Sequence, residues 1–208
     1  MSLFFIVALP FLGALLPGLM NSAGRSATAG VTFTVTLAAF VGLLTNLPAV
    51  LAGNVVMARV DWMPLLGLNF SLMLDGLGFF FALLILGIGL LIIAYARHYL
   101  SREDNMGQFF TYLLLFQGAM VGIVMSDNIL LLLVFWELTS LSSFLLIGYW
   151  KHLPEGRQGA RMALTVTGMG GLAMIGGMLM LGQIVGSYDL SVILQNRELI
   201  QADPLYVP

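Results

Sequence analysis

The chain contains no cysteine, so disulfides, thiol chemistry and cysteine-based metal sites are excluded. Two histidines, His98 and His152, are too few for a metal cluster. Charge is almost as scarce. Among 208 residues there are 8 basic and 10 acidic side chains, 9% of the total, where a water-soluble domain carries about 25%. So few ions cannot cover the surface of a soluble particle, and no basic patch large enough for nucleic acid can be assembled from them. Neither a glycine-rich nucleotide loop after a strand nor a set of redox-metal ligands is present, and no cofactor is expected.

What fills the chain is apolar: 60% hydrophobic residues and a mean hydropathy of +1.00. These residues predict an all-α integral membrane protein with about six transmembrane helices. The hydrophobic stretches run at about 2–20, 29–52, 77–97, 108–125, 128–150 and 161–186. Each has roughly the 20 residues that cross a ~30 Å hydrocarbon core as a helix. The fourth and fifth are joined by the tight turn Ser126-Asp127-Asn128. The first lacks a positively charged start and contains Pro10 and Pro17, which favours a retained span over a cleaved signal peptide. Alternating the connections across the membrane gathers Arg25, Arg97, Arg102, Lys151, Arg157 and Arg161 on one side and leaves Arg59 and Arg197 on the other. The richer side is expected to be cytoplasmic, with both ends of the chain outside.

The connection between the second and third spans has a different period. Val56, Ala58, Val60 and Trp62 alternate with Met57, Arg59 and Asp61. After Pro64 and Gly67, Leu68, Phe70, Leu72 and Leu74 alternate with Asn69, Ser71 and Met73. A period of two split by a Pro/Gly turn predicts a small external β-hairpin, the alternative being an irregular interfacial loop. Asp75 is placed to cap the third span, or else to serve at an ion entry. Residues 187–208 read as an external amphipathic connection with a short interfacial helix. The chain stops where another hydrophobic segment would begin, as expected of a portion of a longer protein.

Nearly every charge sits in a connection or at a span end. Glu137, in Val134-Phe-Trp-Glu137-Leu-Thr-Ser, lies near the middle of the fifth span. A carboxyl at that depth costs several kcal/mol and marks a functional site by default. Burial can lift a glutamate far above its free value of ~4.3, which lets it hold and release a proton near neutral pH. A proton relay is the favoured role, and a protonated hydrogen-bonding link between helices is the alternative. Ser140, at i+3, shares its face, and Gln117 in the fourth span is a weaker auxiliary candidate, since a lone amide commonly joins two helices. Thr139, Ser142 and Ser143 point away and are expected to bond their own helix carbonyls. No Lys or Arg lies deep inside a span, so Glu137 has no evident basic partner unless Lys151 reaches back from the helix end. Gly118-x-x-x-Gly122 and Ala173-x-x-x-Gly177 have the spacing of helix-contact motifs.

The run from Ser126 to Gly148, centred on Trp136-Glu137-Leu-Thr-Ser, resembles the fifth-helix signature of the antiporter-like family. That family comprises the large subunits of Mrp-type multisubunit cation/proton antiporters and the proton-pumping subunits of respiratory complex I. Leu68-Asn-Phe-Ser-Leu-Met-Leu-Asp75-Gly-Leu is similar to its strand-to-third-helix junction. The pattern is nearest the branch that holds the A-type subunit of Mrp antiporters. The sixth span, Ala163-Leu-Thr-Val-Thr-Gly-Met-Gly-Gly-Leu-Ala, has no Arg or Asp where complex I subunits carry them. The resemblance implies a multi-pass protein of the bacterial inner (cell) membrane that exchanges sodium or potassium for protons alongside other subunits of a hetero-oligomeric complex. It implies that Glu137 is the family's fifth-helix glutamate, with a partner lysine on a seventh helix beyond Pro208. The alternatives are a membrane-arm proton-pumping subunit of an NADH:quinone oxidoreductase-like complex, or a truncated structural subunit that transports nothing.

Overall fold

The structure, a computed structural model, describes residues 2–20 and 24–204, so the last four residues of the segment read as 187–208 lie outside the described residues. The chain opens with α1 (Leu3–Gly13) and α2 (Leu15–Leu19), which follow one another with Ala14 between them. Then come α3 (Arg25–Leu44), α4 (Leu47–Leu51), the strands β1 (Val56–Met63) and β2 (Leu68–Leu74), and four long helices. These are α5 (Gly76–Tyr99), α6 (Met106–Met125), α7 (Ile129–Ile147) and α8 (Pro154–Val185), followed by the short α9 (Leu190–Gln195) and α10 (Arg197–Ala202). Among the described residues, five helical segments are long and apolar enough to cross a membrane, and Leu3–Leu19 is a shorter apolar sixth.

Short polar residues set where the long helices begin. The Asp75 carboxyl accepts from the Gly78 N–H at 2.7 Å, which is the capping role its position suggested. Asn105 caps α6 by accepting from Gln108 N–H at 3.1 Å. The last long helix starts at Pro154, ahead of the hydrophobic stretch, because proline suits the first helical position and Glu155 the positive end of the helix dipole. It ends at Gly186, whose φ of 77° is the left-handed cap conformation.

The two strands pair antiparallel from Val56↔Leu74 to Met63↔Leu68, with an irregularity between Val60 and Met63, as the period of two predicted. A 3-10 turn, Pro64–Leu66, and Gly67 at φ 68° reverse the chain. β2 lies against the helices, with Leu72 and Leu74 fully buried, while β1 is largely exposed. An isolated bridge from Leu72 to Ser126 joins the hairpin to the α6–α7 turn.

Small residues let the helices approach closely, as packing in lipid requires. A side chain added at Gly122 would fall 2.5 Å from the Phe135 ring of α7, and one at Gly118 would fall 3.0 Å from Phe11 of α1. Phe11 in turn stacks on Phe135 with centroids 6.2 Å apart, and Phe135 meets Phe70 of β2 edge-on at 6.1 Å. The second motif behaves differently. Ala173 and Gly177 are exposed on α8, and nothing lies within 4 Å of where a Gly177 side chain would begin.

Candidate functional site

Glu137 is the ninth residue of the 19-residue α7, about 12 Å from its start at 1.5 Å per residue. That is near mid-depth for a ~30 Å core. Its side chain is half-buried between α7 and α8, less enclosed than its depth in the span predicts, and the fully buried carboxylate is instead Asp127. Gly171 of α8 makes the room: a Cβ there would lie 2.0 Å from Glu137 Oε1. The carboxyl borders a groove of about 880 Å³ that is walled by Leu133, Leu138, Ile175 and Leu179 and reaches the hairpin turn at Leu66 and the segment after α8 at Tyr188. Among the described residues the Glu137 carboxyl has no hydrogen bond or ion pair, and Lys151 does not reach it.

Ser140 is buried on the same helix, but its hydroxyl donates to the Trp136 carbonyl at 3.3 Å and does not engage Glu137. Thr139 likewise donates to the Trp136 carbonyl at 2.7 Å, and Ser142 donates to that of Leu138 at 2.6 Å. These bonds follow from a hydroxyl on a helix with no water to compete.

Gln117 is 3% exposed on α6 and is satisfied on both sides of its amide. Its Oε1 accepts from Thr36 Oγ1 of α3 at 3.0 Å, and its Nε2 donates to the Ile85 carbonyl of α5 at 3.2 Å. Gly89 leaves the space for that amide, since a Cβ there would fall 2.0 Å from Nε2. The side chain therefore ties three helices together, and Glu137 stands on a fourth.

Among the described residues, the most extensive polar assembly is built around residues that the sequence marks only as a turn. Asn128 has no exposed surface and makes four hydrogen bonds. Its Oδ1 caps α7 by accepting from Leu130 and Leu131 N–H at 3.1 and 3.2 Å. Its Nδ2 donates to the Gly67 carbonyl and to Asp189 Oδ1, both at 2.9 Å. Asp189 then pairs with Arg59 of β1 at 2.7 Å, and this bond together with Asp61 raises the Arg59 pKa further above its ordinary value. Beside it, Asp127, 2% exposed, accepts from Ser71 Oγ at 3.3 Å, Ser191 N–H at 3.0 Å and Ser191 Oγ at 3.1 Å. Hairpin, α7 and the segment after α8 are thereby fastened at the end from which the Glu137 groove opens. The turn itself was the local signal, because the partner of Asn128, Asp189, is 61 positions away and Ser191 is 64 from Asp127.

Comparison with known proteins finds family matches over two stretches of the chain. Residues 62–110 match a family described as NADH-ubiquinone oxidoreductase (complex I), chain 5 N-terminus. Residues 126–205 match one described as NADH:quinone oxidoreductase/Mrp antiporter, TM. The chain is 47% identical over 206 residues to the A/B subunit of a probable K(+)/H(+) antiporter of Rhizobium meliloti (strain 1021), covering 99% of this chain and 20% of the relative. It is 42% identical over 209 residues to the A1 subunit of a Na(+)/H(+) antiporter of Staphylococcus aureus, covering 100% of this chain and 26% of that protein. The fold superposes on a chain of the Mrp complex from Dietzia sp. DQ12-45-1b with a TM-score of 0.87 and 31% identity, over 98% of this chain and 22% of that one. An archaeal membrane-bound sulfane sulfur reductase shares the fold at a TM-score of 0.72 and 16% identity, over 95% of this chain and 30% of that one. The chain thus spans about a fifth to a quarter of the length of the curated relatives it matches.

Proposed function

The chain belongs to the antiporter-like family of Mrp antiporters and NADH:quinone oxidoreductases, and on that premise we propose that it is the N-terminal membrane portion of the A-type subunit of an Mrp antiporter, in which Glu137 carries protons. The observation that supports this most directly is a lone carboxyl at mid-depth of α7, without a hydrogen bond, facing a glycine across the α7–α8 seam. A carboxyl serving only as a link between helices would be expected to hold a hydrogen bond across the seam, as Gln117 does between its own helices. Left without one, it is available to take a proton from one side and give it to a group that approaches later.

In this reading the chain is part of a transporter, not an enzyme. It works in a bacterial cell membrane with further subunits that supply the path of the monovalent cation. A proton moving down the membrane potential yields about 2.3 kcal/mol per 100 mV, which can drive sodium or potassium the other way. The absence of a basic partner for Glu137 among the described residues is consistent with that partner lying elsewhere in the longer protein. The isolated chain is accordingly expected to catalyse no exchange in vesicles.

The test is Glu137→Gln in the complete antiporter. Glutamine keeps the size and most of the hydrogen-bonding groups but holds no titratable proton. Exchange should fall severely while assembly and insertion persist, and Glu137→Asp should keep part of the activity. Normal exchange by the Gln variant from about pH 7 to 9 would refute the relay. The family also serves redox-driven proton pumps. Proton movement by the complete complex that needed quinone reduction and no sodium or potassium would favour that second setting for the same carboxyl.

A further inference from the structure

At the opposite end of the bundle from the hairpin, the ends of α6, α7 and α8 enclose a hollow of about 350 Å³. Three of its lining residues are cationic: Lys151, just past α7, and Arg157 and Arg161 on the first turns of α8. The two arginines are four residues apart and so share a helix face. Phe144 and Leu145 of α7 form an apolar wall, and Gly148 closes against Ala160, where an added Cβ would lie 3.4 Å away. No carboxylate lines this hollow, and among the described residues none of the three cations is in an ion pair. Their side chains make a single hydrogen bond to the described residues, from Arg161 Nε to the Arg157 carbonyl at 3.3 Å.

Nearby acids do not neutralise the group. Glu155 stands two residues before Arg157 and is exposed. Glu103 and Asp104 line a neighbouring hollow that shares Lys151, and Asp104 is already held by Ser101 N–H at 2.9 Å and Trp150 Nε1 at 3.0 Å.

We propose that this hollow binds the headgroup of an anionic phospholipid. Three unpaired cations repel one another and attract a ligand that brings concentrated negative charge. A phosphodiester supplies it, with oxygens suited to the planar guanidinium fork of arginine. The hollow lies where α7 ends and α8 begins, at the level of the headgroups, and the Phe144–Leu145 wall runs toward the hydrocarbon for an acyl chain to follow. The inference is independent of any role for Glu137.

The complete complex, purified in detergent, is equilibrated with phosphatidylglycerol or phosphatidylcholine, and retained lipid is measured by native mass spectrometry. The intact complex should retain the anionic lipid preferentially. Lys151→Gln, a change at an exposed loop residue, should weaken that preference roughly fivefold, and Arg157→Gln with Arg161→Gln should weaken it further. Arg157→Lys with Arg161→Lys should keep most of it. Unchanged preference in Lys151→Gln and in the double Gln variant would overturn the proposal. An equal loss on Arg102→Gln, outside the hollow, would overturn it too by showing a diffuse surface effect. So would displacement of the lipid by an equal concentration of inorganic phosphate, which would make the hollow a free-anion site.

Discussion

The two ends of this helix bundle treat polar groups in opposite ways. At the hairpin end, Asn128, Asp127 and Ser71 are almost wholly buried, and their hydrogen bonds run between segments far apart in sequence. At the basic end, Arg157, Arg161, Lys151 and His152 are exposed, and none of them is in an ion pair among the described residues. Bonds do cross that end, but they are fewer and nearer the surface. Arg25 donates to the Ser101 and Leu100 carbonyls, Arg97 to Ser26 Oγ and Trp150 to Asp104. Buried polar networks fix geometry because each unmade bond is costly in a low dielectric, whereas exposed charges fix little. One end is built to hold the α7–α8 seam in place, and the other is left open to the membrane surface.

An all-or-none test of this contrast is topological. With no native cysteine, single cysteines report cleanly. Asn54→Cys, before the hairpin, should be labelled from outside by an impermeant reagent, and Gly156→Cys only after the membrane is opened. Labelling of position 156 from outside would reverse the orientation.

The next largest effect is on stability. Asn128→Ala removes a helix cap and strands the Gly67 carbonyl, and is expected to cost about 2–4 kcal/mol in unfolding of the complete protein. Lys151→Gln, at the other end, should cost less than about 0.5 kcal/mol. Equal losses would erase the distinction between the two ends. A smaller change is expected from Arg59→Gln. Its partner Asp189 is 14% exposed but Arg59 itself is half exposed, so the loss should be about 1 kcal/mol or less and should shrink in high salt.

The smallest effect concerns Asp104. Burial pushes its carboxyl up, but the Ser101 N–H, the Trp150 ring N–H, the Ser101 hydroxyl and the Arg25 charge outweigh it and hold the carboxyl below its ordinary value. A depressed carboxyl contributes stability above the unfolded value of ~3.9 and loses it as pH falls through the folded one. Trp150→Phe should therefore cost a little stability at neutral pH and move the acid unfolding midpoint slightly upward, the difference vanishing only below the folded value. An unmoved midpoint would show that the indole contributes nothing at this end.

The contrast also sorts what could be read from the chain. Period-two alternation exposed the hairpin, and runs of apolar residues exposed the long helices, because both signals are local. The Asp75 cap was legible for the same reason. Gly118-x-x-x-Gly122 and Ala173-x-x-x-Gly177 look alike as text, yet one is filled by Phe11 and Phe135 and the other faces outward. Spacing states what a surface permits and not what meets it. Helical spacing put Ser140 on the Glu137 face without revealing that its hydroxyl is spent on Trp136. The Asp127–Ser191 and Arg59–Asp189 bonds were invisible because they join residues 64 and 130 positions apart.

Gly171 offers a handle of another kind on the one acid at mid-depth. A methyl group at that position would overlap Glu137 Oε1, and the far end of a flexible side chain yields easily. Gly171→Ala would thus evict the carboxyl from the seam into the groove and leave its chemical identity intact. The clearance of a single hydrogen atom on α8 decides where the acid rests, so this position works as a steric dial on an electrostatic group. Address and acidity can be varied one at a time.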